Sequence, residues 1–330
     1  MGLGKRLADV VKPYLQLLRV SNLTFLAILL FAMEQWVAVP LLRLEHLSQQ
    51  MPLWVFVLLL LSTLLIAAGG YVINDYFDVK IDRINRPDDI VVTRHISRDG
   101  AMQLFKVLSG LGIVTGLIVT WWAKSWTLMM IYLVIPGLLW FYSASYKRQF
   151  LVGNLVVAFV SGLVPLLVAI ANADYLIHLY GTSLTYTPII GQLYVWLGGF
   201  AVFAFLITLA REITKDIEDI EGDCEMECRT IPIVWGVRTS KIIITILLLL
   251  TFSLIVYLTF AVLPFPHDWQ SFSTRYIVFG ILTPIICSII LLWSAKTKQE
   301  IHRTQVVLKF AMFLGTMYSF VIHQNLTLCN

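Results

Sequence analysis

Residues 71–89 hold an amide and several carboxylates at a spacing that suits metal binding. If the apolar helix that precedes them continues, Asn74, Asp78 and Asp82 recur every four residues on one helical face, with Asp75 beside them. Each turn of that face would present an oxygen ligand, the type that a hard divalent cation prefers. An acidic loop in contact with water is the alternative, because runs of charge are usually solvated surface.

A second acidic stretch follows another apolar run, Leu193–Ala210. Asp216, Asp219 and Asp223 are spaced at i, i+3 and i+7, so we expect them on a single helical face as well. Two such faces, each at the end of a membrane helix, can point at each other across a cavity. A carboxylate at membrane depth costs about 2.5–3.5 kcal/mol on insertion scales. Six of them therefore indicate a hydrated cavity or a metal site.

The composition indicates a polytopic membrane protein. Of the 330 residues, 58% are hydrophobic and only 13% charged, and long apolar segments recur along the whole chain. We predict an all-α membrane bundle of about nine transmembrane helices around a central cavity, forming a single domain over residues 1–330. The predicted spans are 23–42, 53–77, 104–123, 126–146, 150–173, 189–210, 241–263, 276–295 and 306–324.

The basic residues predict the orientation of these spans. With the N-terminus in the cytoplasm and the C-terminus outside, 21 of the 24 Lys and Arg residues fall on the cytoplasmic side. Both acidic stretches then face the cytoplasm. The formal charge of +4 reflects this topology, so no nucleic-acid partner is expected. Within residues 1–20, apolar and basic positions alternate as in an amphipathic helix on the inner membrane surface.

The acidic stretches resemble a known family. Asn-Asp-x-x-Asp-x-x-x-Asp at 74–82 and Lys-Asp-x-x-Asp-x-x-Gly-Asp at 215–223 are similar to the two aspartate-rich motifs of the UbiA-type intramembrane prenyltransferases. The flanking segments 85–87 and 229–236 agree, and 142–147 with 153–154 resembles the family's middle segment. The resemblance spans nearly the whole chain.

The resemblance implies an enzyme that uses Mg²⁺ to transfer a prenyl group from an isoprenyl diphosphate to a lipophilic acceptor in the membrane, with no obligatory protein partner. The residues it assigns to catalysis are Asp78, Asp82, Asp216, Asp219 and Lys215. The residues assigned to substrate binding are Asn22, Arg83, Arg94, Tyr142, Lys147 and Asn154. The metal ligands would be Asn74, Asp75, Asp78, Asp82, Asp216, Asp219 and Asp223.

The acceptor depends on the branch of the family. The run that includes the second motif looks most like the branch that makes archaeal-type ether lipids, in which geranylgeranylglyceryl phosphate is the acceptor. Aromatic acceptors for quinones, 4-hydroxybenzoate or a naphthoate, and the tetrapyrrole branches are alternatives. After Pro87 the chain lacks the Arg, second Pro and Gly that many family members have, and spacing does not show whether Arg94 replaces that Arg. A membrane transporter is the rival of a different class.

Overall fold

Nine long apolar helices make up most of the structure. This computed structural model describes residues 11–45, 47, 51–261 and 268–328. Within those residues, nine helices are long and apolar enough to cross a membrane, which confirms the expected multi-pass fold. They are α1 (Val20–Leu44), α2 (Leu53–Asn85), α3 (Arg98–Ala123), α4 (Trp126–Ala144), α5 (Val152–Tyr180), α6 (Pro188–Glu218), α7 (Val237–Ala261), α8 (Phe272–Ser294) and α9 (Lys298–Leu328).

Both acidic stretches lie at the same end of the bundle, here called the motif end. Successive spanning helices run in opposite directions, so the connections after α2, α4, α6 and α8 share one end. Contacts between these connections agree with this placement. The Arg229 amide donates to the Arg148 carbonyl at 2.9 Å, and the Lys298 ammonium donates to the Asn85 carbonyl at 3.1 Å.

Helix α2 carries the first acidic motif without interruption. It begins after the extended residue Pro52 and continues beyond the predicted span to Asn85. It ends where Arg86 precedes Pro87, since a residue before proline is disfavoured in the helical region. The expectation that Asn74, Asp78 and Asp82 share one helical face is therefore confirmed.

The connection between α2 and α3 packs against α2 through apolar side chains. Val91, Val92 and Ile96 are buried, and they form a small apolar cluster with Val79 of α2. Ser97 then caps α3 by accepting a hydrogen bond from the Gly100 amide at 3.0 Å. This packing fixes where α3 begins, at Arg98, six residues before the predicted span.

The chain before α1 joins the same cluster. Residues 11–17 are helical, and Leu17 is fully buried against Val72 and Val79 of α2. Val11 and Leu15 are 45% and 49% exposed, an arrangement that fits the predicted amphipathic character. The rest of the predicted amphipathic segment, residues 1–10, lies outside the described residues.

Candidate active site

Asp78 of the first motif is neutralised from the connection between α4 and α5. The Asn74 amide donates to Asp78 Oδ2 at 2.8 Å, and the Lys147 ammonium contacts Asp78 Oδ1. Lys147 belongs to a short turn, Tyr146–Arg148, that lies directly on the first residues of α5. A β-carbon on Gly153 would stand 2.6 Å from Lys147 Cα, so only glycine allows this close approach.

Asp75 pairs with a cation from the chain just before α1. Arg19, the residue before α1, donates to Asp75 Oδ1 at 2.8 Å. Its guanidinium group also lies over the Tyr71 ring, 5.1 Å from the centroid. Arg19 therefore joins the start of α1 to the first motif.

The second motif differs from the continuous helical face that its spacing predicts. Helix α6 ends at Glu218, Asp219 has non-helical backbone angles, and a short helix, Ile220–Glu225, follows. The side chain of Asn85, the last residue of α2, pairs with the backbone at this break. Its amide donates to the Asp219 carbonyl at 3.2 Å, while its oxygen accepts from the Gly222 amide at 3.1 Å. The end of α2, just after the first motif, therefore stabilises the interruption of the second motif.

Gly222 is required for this contact. A β-carbon at position 222 would stand 2.6 Å from Asn85 Nδ2 and 2.7 Å from Asn85 Oδ1. Because the Asn85 side chain lies so close to the Gly222 backbone, position 222 has no room for a residue larger than glycine. The glycine of the second motif thus serves the junction between the two motifs.

Arg86 adds a second link across the same junction. Its Nη2 atom lies 3.0 and 3.2 Å from the two oxygens of Asp219, and 4.0 Å from Glu218. Sequence reasoning did not assign Arg86 to the site. A signal was present, because Arg86 follows Asp82 at i+4 and so continues the row of Asn74, Asp78 and Asp82.

Asp216 is held by a neighbouring helix. The Asn154 amide of α5 donates to Asp216 Oδ2 at 2.8 Å, and Asn154 is itself buried. The Tyr142 hydroxyl lies close enough to Asp216 and Glu212 to interact with both electrostatically. The structure therefore places Tyr142 and Asn154 at the second motif.

Lys215 lies between the two motifs. It is close enough to Asp82 of the first and Asp223 of the second to stabilise both charges. Burial, followed by repulsion from the Asp219 carboxylate, raises the pKa of Asp223 to about 6, although Lys215 and Lys147 oppose this shift. At Asp223 the effect of burial therefore outweighs that of the two lysines.

The structure brings most of the predicted site residues together, with three exceptions. Arg83 and Arg94 are exposed, and their side chains make no hydrogen bond or ion pair within the described part of the chain. Asn22 makes no hydrogen bond to the motif carboxylates within the described residues and instead contacts Lys309 of α9 at 2.8 Å. Among the described residues, no three Asp, Glu, His or Cys side chains converge on one point, because basic and amide groups engage several of the carboxylates. The predicted metal ligation stays a prediction.

The chain matches a known protein family over most of its length. The sequence model of the UbiA prenyltransferase family matches residues 23–317. The chain belongs to that family. It is therefore a prenyltransferase, and this interpretation is confirmed over the transporter alternative.

Relatives of known name are similar over most of both chains. Digeranylgeranylglyceryl phosphate synthase of Thermococcus kodakarensis is 30% identical over 79% of this chain and 83% of its own length. The synthase of the same name from Methanobrevibacter smithii is 30% identical over 81% and 82%. That of Sulfolobus acidocaldarius is 30% identical over 94% and 98%.

Solved structures share the fold. A structure reported for digeranylgeranylglyceryl phosphate synthase in membranes matches with a TM-score of 0.63 at 22% identity, over 96% of this chain and 99% of that one. A UbiA homologue from Archaeoglobus fulgidus, bound to GPP and Mg²⁺, matches with a TM-score of 0.55 at 17% identity, over 94% and 99%.

Proposed function

We propose that this prenyltransferase joins the prenyl group of an isoprenyl diphosphate to a hydroxyl group of geranylgeranylglyceryl phosphate, forming an ether lipid in the membrane. The observation that carries the acceptor is the shared name of three relatives that match about four fifths or more of this chain at 30% identity. The junction of the two acidic motifs supports prenyl transfer as the chemistry.

We propose Mg²⁺ as the cofactor, because the donor set fits it. Carboxylate and amide oxygens are hard ligands, and Mg²⁺ prefers a few of them together with phosphate oxygens and water. The residues that would hold it are Asn74, Asp75, Asp78, Asp82, Asp216, Asp219 and Asp223. Bound Mg²⁺ supplies Lewis-acid stabilisation of the leaving diphosphate. The GPP and Mg²⁺ in the A. fulgidus homologue support this assignment at the level of the family.

Basic and apolar residues of the chain provide the rest of the chemistry. Lys147 and Lys215 would donate hydrogen bonds to the diphosphate, with Lys147 exchanging Asp78 for phosphate oxygens. The C1–O bond to the diphosphate breaks and its electron pair leaves with the diphosphate. The acceptor hydroxyl oxygen forms the new bond to C1, and its proton passes to the released diphosphate. The apolar helices exclude water from the allylic cation.

A turnover assay tests this proposal. Purified protein would be given Mg²⁺ and labelled prenyl diphosphates, with geranylgeranylglyceryl phosphate, 4-hydroxybenzoate and a naphthoate as separate acceptors. We expect an ether product from geranylgeranylglyceryl phosphate and none from the aromatic acids. Transfer to an aromatic acid, with no transfer to the glyceryl phosphate, would contradict the acceptor but not the prenyl transfer.

We also propose that the motif end faces the cytoplasm, with the N-terminus inside and the C-terminus outside. The excess of basic residues at this end supports it. Single cysteines at residues 90, 225 and 300, labelled with a membrane-impermeant reagent, should react only from the cytoplasmic side. Labelling of residue 90 or 225 from the outer side would contradict this orientation.

A further inference from the structure

Three basic side chains meet where α1, α6 and α9 adjoin. The Lys309 ammonium of α9 donates to Asn22 Oδ1 of α1 at 2.8 Å. Arg211 of α6 is close enough to Lys309 and to Tyr71 to interact electrostatically with both. Arg19, three residues before Asn22, lies over the same Tyr71 ring. These contacts define a basic cluster of Arg19, Asn22, Arg211 and Lys309 beside the acidic junction.

The basic cluster carries an excess of positive charge. Asp75 neutralises Arg19, and Glu212 lies 3.7 Å from Arg211. Lys309 has no carboxylate within ion-pair distance among the residues that the structure describes. It lies about 16 Å along α9 from Lys298, beside exposed apolar side chains of that helix. A cation near the apolar part of a membrane needs a partner, so the cluster indicates an anionic ligand.

We propose that Arg211 and Lys309, with the Asn22 amide, bind the phosphate group of the acceptor. This inference rests on the proposed function, in which the acceptor carries a phosphate. Asn22 Oδ1 accepts from Lys309 and the Asn22 side chain also hydrogen-bonds Tyr71, so one N–H of the Asn22 amide is left as a further donor to the phosphate. Two cations and an amide provide several charge-assisted hydrogen bonds to one phosphate.

The position of Arg211 on α6 suits the reaction. Arg211 precedes Lys215 by four residues, so the two side chains share a face and their Cβ atoms lie about 5–6 Å apart. Lys215 neighbours Asp82 and Asp223, where we place the diphosphate of the donor. In a glycerol phosphate prenylated on its other end carbon, the free hydroxyl is on the carbon next to the one that bears the phosphate. A phosphate at Arg211 therefore brings this hydroxyl towards C1 of the donor.

The test compares two acceptors that differ only in the phosphate, geranylgeranylglyceryl phosphate and geranylgeranylglycerol. Kinetic constants would be measured for the wild type, Arg211→Gln and Lys309→Gln, with Lys106→Gln as the matched control. Lys106 is an exposed lysine on α3 that belongs neither to the basic cluster nor to the acidic motifs. We expect Arg211→Gln and Lys309→Gln each to raise KM for the phosphorylated acceptor about tenfold or more. KM for the prenyl diphosphate and turnover of geranylgeranylglycerol should not change, and Lys309→Arg should retain the wild-type preference.

The outcomes separate this inference from the proposed function. If the wild type uses geranylgeranylglyceryl phosphate and both variants keep its preference for the phosphorylated acceptor, the phosphate site is wrong and the function stands. If the variants weaken both acceptors equally, the Lys309–Asn22 contact only joins α9 to α1, which also overturns the inference. If the wild type uses neither prenylglycerol, the proposed function and the phosphate site fail together.

Discussion

The two acidic motifs have similar sequences but are built differently. The first lies on one uninterrupted helix, so its row of Asn74, Asp78 and Asp82 follows from the helical repeat alone. The second is interrupted at Asp219, and the interruption is stabilised by Asn85, which follows the first motif at the end of α2. The first motif is thus a local structure, whereas the second depends on a tertiary contact.

The partners of the carboxylates come from other parts of the chain in both motifs. Cations from other parts of the chain, Lys147 and Arg19, neutralise the first motif. In the second, Arg86, which directly follows α2, pairs with Asp219, and the amide of Asn154 donates a hydrogen bond to Asp216. The two motifs therefore form one unit. A substitution at the end of α2 should displace the carboxylates of both motifs.

The largest effect is expected for removal of a motif carboxylate. Asp78→Asn and Asp219→Asn should each lower the rate of prenyl transfer about a thousandfold or more, because a ligand charge is lost while size is kept. That loss corresponds to about 4 kcal/mol of transition-state stabilisation. Both variants should still insert in the membrane and purify as the wild type does.

The control for this pair is Glu221→Gln, which removes an exposed carboxylate from the same short helix as Asp223. Its transfer rate should equal that of the wild type. If Asp219→Asn behaved like Glu221→Gln, the second motif would not belong to the site.

A smaller effect is expected at the contact between the motifs. Gly222→Ala places a β-carbon against Asn85 and should displace that side chain from the backbone of the second motif. We expect transfer to fall about 10- to 100-fold, as when a group that orients a metal ligand is lost. Gly110→Ala on α3 is the matched control, since a β-carbon there meets nothing within 4 Å. Equal activity of the two variants would show that the Asn85 contact does not position the carboxylates.

The smallest effect concerns the cation of the first motif. Lys147→Gln should raise KM for the prenyl diphosphate about tenfold, because one charged hydrogen bond to the diphosphate is lost. Arg148→Gln changes the adjacent exposed cation and should leave KM unchanged. A larger effect of Arg148→Gln than of Lys147→Gln would place the diphosphate on the other face of this turn.

Much of the fold could be predicted from the sequence because its signals are local. Apolar runs predict the nine spans, and the spacing of Asn74, Asp78 and Asp82 predicts a helical face that the structure confirms. The break at Asp219 could not be predicted, since it depends on Asn85, more than a hundred residues away in the chain. A regular i, i+3, i+7 spacing carries no information about such a contact.

The site could be predicted only where a motif marked it. Lys309 belongs to neither motif, and only the packing of α9 on α1 brings it to Asn22. The opposite case is Arg94, which the family resemblance assigned to substrate binding. That loop packs through Val91, Val92 and Ile96, and Arg94 stays exposed.

The central claim is that both motifs bind one diphosphate through Mg²⁺. The most direct measurement is calorimetric titration of a non-reactive prenyl thiolodiphosphate into the wild type, Asp78→Asn, Asp219→Asn and the double variant, with Mg²⁺ or with EDTA. We predict tight binding only for the wild type with Mg²⁺, and a double variant no weaker than either single variant, because the two residues act as a unit. Wild-type affinity in EDTA, or in either single variant, would contradict the claim.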